Sequence, residues 1–401
     1  MDCPDVTPSA ARQFLKALAD GVPPQSRLTR WLTVGQEELL TEFDEDLAAV
    51  AAGDFRSLML LGNPGAGKSQ LLITLQHLAA ERGFVTAYFS QDVQSQLAFN
   101  RPDQVYRRII ETMRLPDDPQ GSTDPLRRVI DAWVDRALPQ LRGTARSMAI
   151  VYKLSQAGLL PADPQVMDLR TRIALVGYLM TSEQQNEDAR VQLLNVLRGN
   201  GLTNTQVLHV AWSIKLVPPG RIGWTPSPYD AGHYFGLLRT LIFIMRAVGY
   251  SGMTALFDEV TAIMDLRARS REKAYKVLDS LFFNVYGYEG LYSVFAFMPP
   301  FIKQLQADRW RTSEDYAKRW SDLWGERMRE IKALDDREIY ELLRRLAHLH
   351  GVARSWPAWP SVAAEIGGLA TGFRRNGAST RDLVKTALKH FDDRCAGHSL
   401  T

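Results

Sequence analysis

At 401 residues the chain is long enough to bury a sizeable core and to form more than one packed unit. Hydrophobic residues at 45% and charged residues at 23% make an ordinary globular balance, and a formal charge of +3 selects no nucleic-acid partner, so any basic surface has to be local. The two cysteines, Cys3 and Cys395, supply neither a disulfide framework nor a metal site, which fits a reducing cytoplasm. The opening MDCPDVTPSAARQF is polar and mixed in charge, unlike a signal peptide. The longest apolar stretch, 237–248, is broken by Arg239 and Arg246, so no membrane partner is expected.

In chain order, 9–18 reads as a short helix, and Gly21-Val22-Pro23-Pro24 as an extended or turn element. Val34-Gly35-Gln36-Glu37 opens an amphipathic helix with Leu39, Leu40, Phe43 and Leu47 on one face. That helix reads equally as N-terminal packing and as a segment lying beside a nucleotide base.

The strongest signal follows. The apolar run Leu58–Leu61 ends in Gly62-Asn63-Pro64-Gly65-Ala66-Gly67-Lys68-Ser69, and Leu71-Leu72-Ile73 resumes behind Gln70. This is GxxxxGKS between a strand and a helix, the setting a phosphate-binding loop requires. The glycines let backbone N–H groups wrap an anion at the helix N-terminus. Residues 62–70 are the expected nucleotide-binding set: Lys68 would reach the β- and γ-phosphates of ATP, and the Ser69 hydroxyl would hold Mg2+.

Residues 85–90 read as a buried strand, and 105–113 as a helix on which Arg107 and Arg108 make a solvated face. From 117 to 220 the pattern is helical, with helices expected over 126–138, 145–159, 169–180, 187–197 and 204–214. An apolar helix over 229–247 leads to Thr254–Phe257, a short apolar run ending in Asp258-Glu259. Behind a complete phosphate loop this reads as a Walker B strand. Asp258 would hold Mg2+ and Glu259 would orient the attacking water. Residues 265–273 are mostly basic and fit two readings, a solvated helix start or a surface facing DNA or a neighbouring subunit.

Leu291–Phe297 is the next strand, with Met298 just beyond its tip, and Trp320 and Trp324 in the following segment read as packing. Arg327 precedes a further strand expected over 329–332. Leu334–Glu338 carries a capping pattern ahead of the stripe Ile339, Leu342, Leu343 and Leu346. His348 and His350 are two apart, the wrong spacing to share a helix face, which speaks against metal binding. The last helix opens with Ala378-Ser379-Thr380-Arg381-Asp382-Leu383-Val384-Lys385.

The landmarks Gly21–Pro24, Val34–Glu37, the phosphate loop, Gly249-Tyr250-Ser251-Gly252 with Asp258-Glu259, Ser270–Tyr275 and Thr380–Lys385 occur in one order across most of the chain. In these the sequence resembles the BrxD-like family of BREX ATP-binding proteins, AAA+ ATPases of bacterial phage-defence islands. The resemblance implies an α/β AAA+ (ASCE) P-loop NTPase with a parallel five-stranded sheet, a helical insertion and a C-terminal helical lid. The expected units are an N-terminal segment 1–33, a first core part 34–116, an insertion 117–220, a second core part 221–333 and a lid 334–401. It places Val34 and Gly35 beside the adenine, Arg381 at a sensor position on the γ-phosphate and Arg327 where a trans-acting arginine finger stands. It further implies ATP hydrolysis, a homo-oligomer, action on double-stranded DNA, and helicase-like or methyltransferase proteins as partners. Two departures stand out. Met298 occupies a position where relatives often have Thr, which implies slow or partner-dependent turnover, and Gly-Arg-Glu near the adenine is Gly35-Gln36-Glu37 here. The rival readings are a nucleotide-dependent assembly switch and a signalling NTPase with protein partners only.

Overall fold

The computed structural model describes residues 5–24, 26–89, 99–118, 121, 123–141, 147–162, 167–183, 186–201, 206, 225–258, 260–308, 326–375 and 379–398. Six strands form one sheet: β1 (Phe55–Leu61), β2 (Val85–Phe89), β3 (Met113–Arg114), β4 (Met253–Phe257), β5 (Leu291–Phe297) and β6 (Met328–Glu330). Their spatial order is β3-β2-β4-β5-β1-β6. Five strands are parallel, as expected, and the two-residue β3 adds an antiparallel edge through Thr86↔Arg114 and Ala87↔Met113. Residue 113 was expected at a helix end. The helix Pro102–Glu111 stops at Thr112, whose hydroxyl bonds back to the Arg108 carbonyl at 2.8 Å, and Met113 is freed to pair. A pairing of two residues is too short to leave a period in the sequence.

The central strands are apolar without a break because both faces are covered. All seven residues of β5 and all five of β4 are buried. Along β1 the side chains alternate. Leu58 and Leu60 pack with Phe43, Leu47, Leu71 and Leu75 on one face, while Met59 and Leu61 join the large cluster on the other. That cluster also takes in Trp133, Leu154, Leu175 and Leu197 from helices Pro125–Ala137, Ser147–Gln156, Leu169–Glu183 and Glu187–Leu197. The inserted helices therefore share the core of the sheet. The helix expected over 204–214 lies outside the described residues.

A third cluster joins the two ends of the chain. Phe14, Leu15, Leu18, Trp31 and Val34 pack with Leu343, Leu346, Val384 and Phe391. Arg12 Nη1 donates to the Ala353 carbonyl at 3.0 Å, and Arg345 donates to the Trp31 carbonyl. The C-terminal unit is helical, through Asp336–Arg354, Ala358–Arg375 and Thr380–His398. Its first helix carries the expected capping box, with Asp335 and Glu338 bonded reciprocally. No helix among the described residues is long and apolar enough to cross a membrane.

Candidate functional site

β1 delivers Gly62 at its C-terminal tip. The Gly62 N–H donates to the Phe297 carbonyl (3.2 Å) and the Ile331 N–H donates to the Leu61 carbonyl (2.8 Å), so the loop leaves between the tips of β5 and β6. Gly65 and Gly67 take φ of 76° and 101°, a conformation that costs a residue with a side chain about 1–2 kcal/mol. The loop then enters the helix Lys68–Glu81, whose first N–H groups lack intrahelical partners and present a positive dipole end. Lys68 is buried, and its Nζ donates to the Gly62 carbonyl (2.7 Å) and the Asn63 carbonyl (3.0 Å). The ammonium is thus held against the loop before any phosphate arrives. Asn63 and Pro64 are exposed, Ala66 and Ser69 half-buried.

The Gln70 side chain points to a neighbouring segment. Its Nε2 donates to the Thr29 carbonyl (3.4 Å) and to Thr33 Oγ1 (3.3 Å), and Thr33 Oγ1 shares a hydrogen bond with Thr74 Oγ1 (3.1 Å). The side chain therefore ties the phosphate-loop helix to the segment 28–33. Val34 is buried in the cluster that joins the chain ends. Gly35 lies against Glu338: a Cβ on it would stand 2.5 Å from the Glu338 Cδ. Both residues are thus held by the C-terminal unit.

Asp258 sits at the tip of β4, on the same edge of the sheet as Gly62. Its N–H donates to the Phe89 carbonyl at 2.9 Å, and its Oδ2 accepts from the Tyr88 hydroxyl at 3.0 Å. It is only 4% exposed. The Asp258 carboxylate and the Ser69 hydroxyl are hard oxygen donors, the set that Mg2+ takes. Glu259 lies outside the described residues, as do Trp320 and Trp324. Met298 follows the last residue of β5, and Phe297 is paired with Leu61, so Met298 stands beside the start of the loop.

Arg381 is brought to the loop. A Cβ on Gly65 would lie 2.6 Å from Ser379 Oγ and 3.4 Å from Arg381 Cβ. Ser379 stands just ahead of the last helix. Its N–H and its hydroxyl donate to Asp382 Oδ2 (3.1 and 2.7 Å), which holds the Asp382 carboxyl below the usual carboxylate range. Arg327 is not brought there. Its Nη1 donates to Ser57 Oγ (3.0 Å) and to the Phe282 carbonyl (3.4 Å), and Met328 pairs with Met59, which places Arg327 towards the opposite end of β1. Within one chain this arginine supports the sheet.

The basic stretch 265–273 divides in two. Arg271 is mostly buried and forks onto Asp308 at 2.7 and 3.0 Å, and the Tyr275 hydroxyl donates to the same carboxylate at 2.9 Å. Burial alone would raise the Asp308 carboxyl, but these donors hold it below its ordinary value. Arg267, Arg269 and Lys273 remain exposed, and Lys273 Nζ stands 4.3 Å from the ring centre of Tyr229, itself 52% exposed. Tyr88, Ser379 and Tyr229 were missed in the sequence. The only trace of Tyr88 was a phenol at the penultimate position of a mostly apolar strand.

A mostly parallel sheet, a GxxxxGKS loop at the tip of β1 and a helix opening on the loop's lysine make up the architecture of an ATP-binding α/β protein. The family model for the BREX system ATP-binding protein BrxC/D matches residues 6–365, and the chain belongs to that family. Searches of curated proteins and of solved structures each found nothing that matches it.

Proposed function

We propose that the chain is an AAA+ ATPase that converts ATP and water to ADP and phosphate and works as a DNA-associated homo-oligomer in phage defence. The observation that carries this reading is the strand order. β5 stands between the phosphate-loop strand β1 and the acidic strand β4, so the loop and Asp258 leave the same edge of the sheet one strand apart. In this reading Lys68 and the loop N–H groups hold the phosphates, Ser69 and Asp258 hold Mg2+, Glu259 orients the attacking water and Arg381 senses the γ-phosphate. Mg2+ bound there neutralises charge on the β- and γ-phosphate oxygens. Arg327 serves a neighbouring subunit only if it leaves Ser57 on assembly.

The DNA-facing surface in this proposal is Arg267, Arg269 and Lys273, exposed cations of one short stretch, with Lys273 beside the exposed Tyr229 ring. The remaining partners are other proteins of the defence system, and the compartment is the cytoplasm. The first experiment is ATP turnover of wild type and Glu259→Gln, with and without duplex DNA, while mass in solution is followed. Turnover lost in Glu259→Gln, with ATP-dependent assembly and DNA stimulation, is the expected result. A Lys68→Ala protein that binds ATP as wild type does removes the site assignment. A second reading, an assembly switch with negligible hydrolysis, is favoured by Met298 beside Gly62, where a hydrogen-bonding side chain would help position water. Tight ATP binding without turnover in either protein selects it.

A further inference from the structure

We infer that Lys385 is a second cation for the terminal phosphate of ATP, acting beside Arg381, and that the Gly21 turn forms the far wall of that subsite. The inference rests on the ATP reading and deepens it. The helix Thr380–His398 places Lys385 one turn beyond Arg381, on the same face. That face meets two glycines from distant parts of the chain. Gly65 of the phosphate loop lies against Ser379 and Arg381 Cβ. Gly21 lies against the outer parts of both side chains: a Cβ on it would stand 2.9 Å from Lys385 Cε and Nζ and 3.5 Å from Arg381 Cδ. The Arg381 side chain therefore runs from the phosphate loop to the Gly21 turn, where the Lys385 ammonium joins it.

Gly21 closes the helix Pro8–Ala19. Its φ is 81°, its N–H donates to the Leu18 carbonyl (2.9 Å), and the Val22 N–H donates to the Ala17 carbonyl (2.9 Å). This is a glycine helix end, which accounts for the residue without any ligand. It does not account for the Lys385 ammonium and the Arg381 Cδ both lying against it. Both side chains are exposed, and the carboxylate whose charge they feel is Asp382, in the same turn of the helix. That one carboxylate also accepts the Ser379 N–H and hydroxyl, so it is shared among three partners. A doubly charged phosphate at the loop would give both cations a stronger counter-charge than one shared carboxylate does. The signal in the sequence was only the i, i+4 spacing of Arg381 and Lys385.

The test is the affinity of wild type, Lys385→Ala, Lys385→Arg and Arg381→Ala for ATP and for ADP, with thermal unfolding in the absence of nucleotide as the control for folding. Lys385→Ala is expected to weaken ATP roughly tenfold, the worth of one charge-assisted hydrogen bond, and ADP less than about twofold. Lys385→Arg should recover most of the loss. Unchanged ATP affinity in Lys385→Ala, or equal losses for ATP and ADP, overturns the inference while leaving the ATP site standing. A wild-type protein that binds neither nucleotide fails the ATP reading instead.

Discussion

The contact between Gly65 and Ser379 ties the phosphate loop to the last helix, and Gly65→Ala tests it. Two costs add at this position. The first is conformational: φ of 76° disfavours any side chain by about 1–2 kcal/mol. The second is steric. The new methyl would stand 2.6 Å from Ser379 Oγ and 2.7 Å from its Cβ, closer than atoms pack, and overpacking of that kind costs about 1–3 kcal/mol. The double variant Gly65→Ala with Ser379→Gly separates the two. It removes the clash and keeps the conformational cost, and Ser→Gly at a helix cap is itself worth only a few tenths of a kcal/mol. Urea unfolding of the four proteins forms the cycle, with ATP binding followed in parallel. The expected coupling is about 1–3 kcal/mol in favour of the double variant, with part of the lost ATP affinity regained. Zero coupling would mean that the loop and the helix do not touch in solution, and the placement of Arg381 and Lys385 would fall with it.

Arg271→Met should destabilise the protein by about 3–5 kcal/mol, since it leaves the Asp308 carboxylate buried without its fork, whereas Arg271→Met with Asp308→Leu should regain most of that; chemical denaturation reads both. The C-terminal helices should weaken in mild acid. His350 Nδ1 accepts from Trp356 Nε1 at 2.8 Å, its Nε2 faces Asp392 Oδ1 at 3.1 Å, and burial holds its pKa below the ordinary 6.5. The unfolded chain therefore binds a proton near pH 6.5 that the folded chain refuses. Stability is full above that value and falls as pH drops towards the folded pKa. Burial lowers His77 in the same sense, so the pH slope of the urea midpoint should flatten in His350→Gln without vanishing.

Legibility followed the range over which each signal acts. The strand–loop–helix around 62–69, the place of Asp258 at a strand tip and the five parallel strands could be read because each rests on a few consecutive residues whose types the local geometry demands. The apolar β4 and β5 could be read because strands covered on both faces admit nothing else. What escaped depended on partners far away in the chain. Arg271 looked like one more cation on a basic helix until Asp308 was seen beneath it. Arg327 had the sequence position of an arginine finger, and only the Ser57 hydroxyl, 270 residues away, reveals that it supports the sheet within its own chain. Tyr88 and Ser379 needed the third dimension, because neither adjoins in sequence the residue it serves.

The expected boundary at 33/34 separates an N-terminal segment from the core, yet the packing runs across the whole chain. Phe14, Trp31 and Val34 share one apolar cluster with Leu343, Val384 and Phe391, so the two ends fold as a single body. That body touches the phosphate loop at Gly65 through Ser379, and the phosphate-loop helix through Gln70 and Thr74. In the proposed subsite, a phosphate that engaged Arg381 and Lys385 would act on side chains that lie against the Gly21 turn. Deleting the first 33 residues would expose the inner faces of Leu343, Leu346 and Phe391 and, if the proposed subsite is right, would remove one of its walls. The truncated protein should lose nucleotide affinity together with stability. A truncation that binds ATP as wild type does would separate the two ends and leave the loop to be read by the last helix alone.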